Sequence, residues 1–291
     1  MPNTRPAAVA GLFYPADSVT LARTVAQLLE CAARTAGAAS QAGTVQAPKA
    51  LIVPHAGYVY SGATAAQAYA LLAPLRHQIR RVALLGPVHR VPVRGLALPD
   101  ADAFETPLGR IEIDAQAIAE LHGLPQVTRS RAAHAQEHSL EVQLPLLQAT
   151  LADFKLLPLA VGDASPAEVA EVLERLWGGP ETLILISSDL SHFLDYRSAQ
   201  ETDGATLRQM LALEGGISHH QACGATPVNG LLLAARGKGL RPRLVAQCNS
   251  GDTAGERHRV VGYASVSFHE SAPADALVNV PAAAQESLHV Q

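Results

Sequence analysis

Cysteine is scarce in this 291-residue chain: Cys31, Cys223 and Cys248 are all there is. Three scattered thiols cannot build a disulfide framework, and a reducing compartment is the expectation. Long apolar runs are missing too. No stretch of about 18 uninterrupted apolar residues occurs, as a membrane-crossing helix would need. The opening MPNTRPAAVAGLFYPAD has no basic segment leading into an apolar core of the secretory kind, so a cytoplasmic chain with no membrane association is expected. There is no excess of basic residues: 22 Lys and Arg stand against 26 Asp and Glu, for a net charge of -4. That balance gives no electrostatic footprint for a phosphate backbone, and nucleic acid is not an expected partner. The phosphate-cradling patterns G-x-G-x-x-G and G-x-x-x-x-G-K-S/T are absent, which demotes dinucleotide and NTP binding. Ser187, Ser188 and Ser191 lack a G-x-S-x-G elbow, so a serine hydrolase is a minor reading.

What remains is a chain rich in core-forming residues, 48% hydrophobic and 16% charged. Its length suffices for one large core, and nothing in its composition marks a second, differently built region. Apolar runs at Ala50–Val53, Val82–Leu85, Leu96–Leu98, Phe154–Val161 and Thr182–Ile186 read as buried strands. Helical spacing is found at Asp17–Thr35, Ala65–Leu72, Asp114–Leu121, Ser139–Ala149 and Ala164–Leu176. Helices near Ala205–Leu213 and Pro227–Ala235 and strands Arg243–Gln247 and Val260–Phe268 complete the chain. The alternation predicts an α/β fold, a single domain over 1–269 with a central, mostly parallel sheet flanked by helices. From 270 to 291 the periodicity is lost, and that tail reads as disordered.

In open α/β sheets ligands bind beyond the carboxyl ends of the strands. Here those ends carry His55 in PHAGY, His89 in GPVHR, Asp189 and His192 in SSDLSH, and Cys248 in QCN. One histidine after a strand is ordinarily a cap or a packing residue. Several on one sheet edge make a transition-metal site plausible, since imidazole and thiolate suit Zn, Fe and Cu. Asp189 and His192 leave two readings open: a carboxylate orienting a general acid or base, or a cap with a histidine covering it. His134-Ala135-Gln136-Glu137-His138 matches the short zinc pattern H-x-x-E-H, but the apolar periodicity begins only at Leu140, after the motif. Glu137 and Glu141 need no explanation beyond a helix N-terminus, while His138 is a candidate for the pocket. Phe13 and Tyr60 are further candidate pocket walls. Cys31 reads as a small buried hydrophobe, and Cys223, before Gly224-Ala225-Thr226-Pro227, as either that or a pocket residue.

The stretches AGLFYPAD, IVPHAGYVYSG, LLGPVHRVPV, ETPLGRIEID, EHSLEVQLPLL, ISSDLSHF, CGATPVNGLL and VVGYASVSF cover nearly the whole chain in order. In them the sequence resembles the Memo family, including its bacterial branch called AmmeMemoRadiSam system protein B. The resemblance implies a fold similar to class III extradiol dioxygenases. It implies one metal ion, Fe(II) or Cu by preference and Zn as an alternative, on His55, His89 and Cys248, with Asp189 and His192 as proton-handling residues beside it. A Cys in place of the dioxygenase carboxylate softens the centre, so fold likeness does not license ring cleavage. The expected function is a redox-capable metal protein acting on a small molecule or peptide in the pocket. The rivals are a non-haem iron dioxygenase, a Zn hydrolase, and a peptide- or protein-binding module without chemistry.

Overall fold

The computed structural model describes residues 3–39 and 47–270. The expected disordered tail lies outside the described residues except at its first position.

The chain begins with β1 (Thr4–Arg5) and α1 (Ser18–Ala39), then β2 (Pro48–Val53), α2 (Tyr58–Ala70), β3 (Arg81–Pro87) and β4 (Leu96–Leu98). A small hairpin of β5 (Ala103–Thr106) and β6 (Gly109–Glu112) precedes α3 (Ala115–Glu120) and β7 (Val127–Arg129). Three short helices follow: α4 (Arg131–Ala135), α5 (His138–Glu141) and α6 (Leu144–Thr150). The second half runs β8 (Lys155–Val161), α7 (Pro166–Arg175), β9 (Thr182–Ser187), β10 (His192–Leu194), α8 (Tyr196–Leu211), α9 (Ala225–Gly237), β11 (Arg241–Asn249) and β12 (Val260–His269). Among the described residues these strands form a nine-stranded sheet and a three-stranded one of order β1-β5-β6.

The large sheet is mixed. Its centre, β2-β9-β3-β8, is parallel throughout, so these strands all end on one edge. On one side β12 runs antiparallel to β2, and on the other β4 runs antiparallel to β8. The parallel strands are apolar on both faces, as burial between two helical layers demands. Ile52, Leu85, Leu159 and Ile186 pack with Val169, Leu173, Val228 and Leu231 of α7 and α9. The alternate residues Leu51, Leu84 and Leu185 pack with Leu21, Val25, Tyr69 and Leu147 of α1, α2 and α6. Each fully buried side chain of this kind contributes about 1.5–3 kcal/mol.

Three helices differ from expectation, the helix expected from Ala205 beginning at Tyr196, where Asp195 caps it. The segment expected as one helix over Ser139–Ala149 divides into α5 and α6, because Pro145 in the first turn of α6 supplies no N–H for continuation from α5. Helix α2 starts at Tyr58 rather than Ala65, seven residues before the expected start. No helix among the described residues is long and apolar enough to cross a membrane.

Close packing of α7 on α9 depends on Gly230, where an added Cβ would lie 2.3 Å from Val169 Cγ1. Gly230→Ala is therefore expected to lower the urea midpoint by an amount equivalent to about 1–3 kcal/mol. Gly237→Ala, on the same helix but facing open space, should not lower it.

Candidate metal centre

The parallel edge brings three histidines together. His55 follows β2 across Pro54, His89 follows β3 across Val88, and His138 is the first residue of α5. Helix α5 is seated on the end of β3, where the Ser139 hydroxyl donates to the Pro87 carbonyl at 2.8 Å. A side chain at Gly86 would collide with Ser139, its Cβ falling 2.9 Å from Oγ. Ligand atoms of His55, His89 and His138 all lie within 4.8 Å of one another. The ring centroids are 5.3 Å apart for His55 and His89, 5.4 Å for His55 and His138, and 4.5 Å for His89 and His138.

Glu137 serves two of these rings. Its Oε1 accepts from His89 Nδ1 at 2.8 Å and lies 3.3 Å from His138 Nδ1, and it also caps α5 through the backbone N–H of His138 and Ser139. Oε2 accepts the backbone N–H of His89 at 2.6 Å. Burial pulls the Glu137 pKa upward, but the bonds from the His89 ring and from backbone N–H groups win and hold it at about 2. A carboxylate behind Nδ1 leaves Nε2 as the donor for an ion, the usual arrangement behind metal-bound histidines. Burial, reinforced by the neighbouring His89, lowers the His138 pKa to about 4. His55 is displaced well below its ordinary value by burial and then by His138 and His89. Both rings are neutral at pH 7, the form that coordinates metal.

Asp189, after β9, is fully buried and accepts the His55 backbone N–H at 2.8 Å. Its Oδ2 stands 3.9 Å from His55 Nε2, and burial raises its pKa to about 7. It supports His55 and not His192. The His192 ring donates from Nδ1 to the Leu190 carbonyl at 2.9 Å, so it is oriented by backbone, contrary to the expected Asp189–His192 pair. The next residue, Phe193, has a φ of 63°, an uncommon backbone state for an aromatic.

Of the two readings open for Cys223, the structure favours the pocket residue. Cys223 Sγ lies 3.4 Å from His55 Nε2 and accepts the Asp189 backbone N–H at 3.3 Å. This contact is made by Gly224, whose missing side chain lets the turn before α9 rest on Ser188. Burial, then the Asp189 charge, pushes the Cys223 thiol up to about 12. Cys248 lies outside the cluster of three histidines, though near enough to Asp189 for that carboxylate to help raise its thiol pKa after burial. Strand β11 runs parallel to β2 and ends on the same edge, but β12 lies between them, and the Cys248 sulfur instead contacts Thr64 Oγ1 of α2 at 3.0 Å.

Of the pocket walls, Phe13 stacks on the His138 ring with centroids 4.7 Å apart and is tied by its carbonyl to the Tyr58 N–H. Tyr60 is partly exposed in the first turn of α2. The H-x-x-E-H match does not form a site: His134 sits on α4 and bonds the Ala97 carbonyl at 2.7 Å, while His138 begins a separate helix.

Three imidazoles with Nδ1 held by carboxylate or hydroxyl, and a sulfur beside one of them, are a donor set suited to late first-row metals. Fold and site together define an α/β protein with an imidazole cluster built on the carboxyl edge of a parallel sheet core. A family model described as Memo-like protein matches residues 5–267. The chain belongs to that family. A "MEMO1 family protein" of Aquifex aeolicus is 35% identical over 280 residues, covering 91% of this chain and 99% of the relative. One of Ignicoccus hospitalis is 34% identical over 283 residues, covering 91% and 98%. Among solved structures, an uncharacterized protein from Escherichia coli K12 shares the fold, with a TM-score of 0.50 and 14% identity over 75% of this chain and 98% of that one.

Proposed function

We propose that this chain is a redox-capable metalloprotein in which His55, His89 and His138 hold one Fe or Cu ion. Cys223 is a further donor, adjacent to the His55 nitrogen that would face the ion. The observation that carries this reading is the approach of three imidazoles to within 4.8 Å, each with Nδ1 engaged from behind. A bound Fe or Cu ion would supply one-electron chemistry and Lewis acidity. The chain's own groups supply the rest. Buried Asp189 holds a proton near neutrality, and His192 has Nε2 as its acceptor nitrogen because Nδ1 is spent on Leu190. Phe13 and Tyr60 would wall off a small molecule or short peptide, in a protein that works in the cytoplasm without nucleic-acid or membrane partners.

An all-imidazole set also favours Zn, and hydrolysis on a Zn ion is the second reading. Elemental analysis of protein purified without chelators separates the two by the metal found. About one Fe or Cu per chain is the expected result, with loss of the metal in His55→Ala and in His89→Ala. Unchanged stoichiometry in both variants would refute the assignment. Oxygen uptake with ring opening in a screen of catechols would assign the Fe-loaded protein to the dioxygenases.

A further inference from the structure

Behind His55 lies a chain of buried polar groups that the metal reading does not by itself require. The His55 Nδ1 is 2.9 Å from Ser187 Oγ, at the end of β9. Ser187 Oγ also lies 2.6 Å from the Ser139 carbonyl and 2.8 Å from Gln143 Nε2. Beyond that, Tyr69 Oη lies 2.7 Å from Gln143 Oε1, and Gln143 Nε2 lies 3.0 Å from the Pro54 carbonyl. Gln143 and Ser187 are fully buried, and Tyr69 is among the largest buried side chains.

Hydrogen-bond arithmetic fixes every proton in this chain. The Pro54 carbonyl can only accept, so the amide of Gln143 must present its NH₂ there and its oxygen to Tyr69. That NH₂ then donates to Ser187 Oγ. A serine hydroxyl has one proton, and the Ser139 carbonyl, which only accepts, takes it. Ser187 Oγ therefore faces His55 with a lone pair, and His55 Nδ1 must carry the hydrogen. Nε2 is left bare towards His89, His138 and Cys223.

The opposite tautomer has acceptors waiting for it. An Nε2–H would face Cys223 Sγ at 3.4 Å and Asp189 Oδ2 at 3.9 Å. We propose that Tyr69, Gln143 and Ser187 form a tautomer lock, positioning residues that force the His55 proton onto Nδ1 and keep Nε2 open as a metal donor. The same lock ties α2 through Tyr69, the start of α6 through its N-cap Gln143, the end of β9 through Ser187, and the chain just after β2 through the Pro54 carbonyl.

This inference takes the role of His55 from the proposed function, but its first test needs no metal. Long-range ¹H–¹⁵N correlation of the histidine rings in chelator-treated protein reads the tautomer directly. The wild-type His55 ring should show a protonated Nδ1 and a bare Nε2. In Ser187→Ala an Nε2–H population should appear, and Co(II) affinity should fall about 10- to 100-fold. Ser187→Thr, which restores a hydroxyl, should recover both. Should Ser187→Ala fail to fold, Tyr69→Phe, which frees the Gln143 amide to turn, should give a smaller shift in the same direction. A wild-type ring protonated at Nε2, or a ring pattern unmoved in the variants, overturns the lock. A wild-type protein with Nδ1–H that binds no transition metal upholds the lock and sinks the metal reading instead.

Discussion

Acidifying the metal-free protein from pH 6.5 to pH 4 should remove much of its folding stability. His134 and His138 both have pKa values lowered to about 4 by burial, and His55 is displaced in the same direction. In the unfolded chain each would take up a proton near 6.5. Between pH 6.5 and 4 the unfolded state thus binds protons that the folded state refuses, and stability falls as pH falls. His134 and His138 each account for about 3 kcal/mol over that window. Asp189 acts against them. Its raised pKa of about 7 makes its burial costly at neutral pH, and acid relieves that cost. His55 adds to the loss in the same direction as the other two histidines, so acid lowers stability on balance, which matters against the 5–15 kcal/mol that holds a domain folded. Glu137 extends the loss below pH 4.5, where protonation of the unfolded carboxyl begins while the folded one holds at about 2. Urea midpoints measured in chelator across this range should drop steeply, and His134→Gln should flatten the curve by roughly one histidine. A midpoint level from pH 6.5 to 4 would contradict the burial of neutral imidazoles described above.

Truncating Glu141 should be the most damaging single change outside the hydrophobic layers. Its carboxylate is fully buried and paired with the buried Arg5 guanidinium. It also accepts the Tyr14 hydroxyl at 2.6 Å and the backbone N–H groups of Ala8 at 2.8 Å and Val9 at 2.9 Å. Removing one member of such a pair strands the other charge in a buried site, at a cost of about 3–5 kcal/mol. Glu141→Ala is expected to lose that much in denaturant titration. Tyr14→Phe, which deletes one bond and leaves the ion pair, should lose about 1 kcal/mol. Because the strap from Ala8 to Tyr14 carries Phe13 onto His138, hydrogen exchange in that strap should rise in Glu141→Ala before global unfolding begins. Equal losses in the two variants would mean that the ion pair contributes nothing of its own.

The layered core was legible because its signals are strong and local. The apolar runs of β2, β3, β8 and β9 match their strands closely, and so His55, His89 and Asp189 could be placed on one edge. Strands of two to four residues, such as β1, β5, β6, β7 and β10, are too short for a period of two to register. The site was legible only as far as strand direction reaches. Cys248 lies at a strand end on the correct edge, but sequence does not give the order of strands, and β12 between β11 and β2 puts that sulfur against Thr64 rather than in the histidine cluster. Cys223 precedes a helix, and its approach to His55 rests on a glycine contact with Ser188, a tertiary fact with no periodicity behind it. His138 had a signal, a titratable cluster ahead of an apolar helix, which marked it for the pocket but not for the ligand set. Glu137 was read as a helix-capping acid; it is one, and the same oxygen that caps α5 also holds His89.

The three candidate donors come from segments far apart along the chain. An ion accepting all of them would close two long loops at once, tying the ends of β2 and β3 to the start of α5. In a protein whose described cysteines are all free thiols, that ion would act as its covalent cross-link in all but name. It would restrict the unfolded chain in proportion to the loops it closes. Loading the centre would then be registered well away from the pocket, as slower opening of the sheet edge on which it sits.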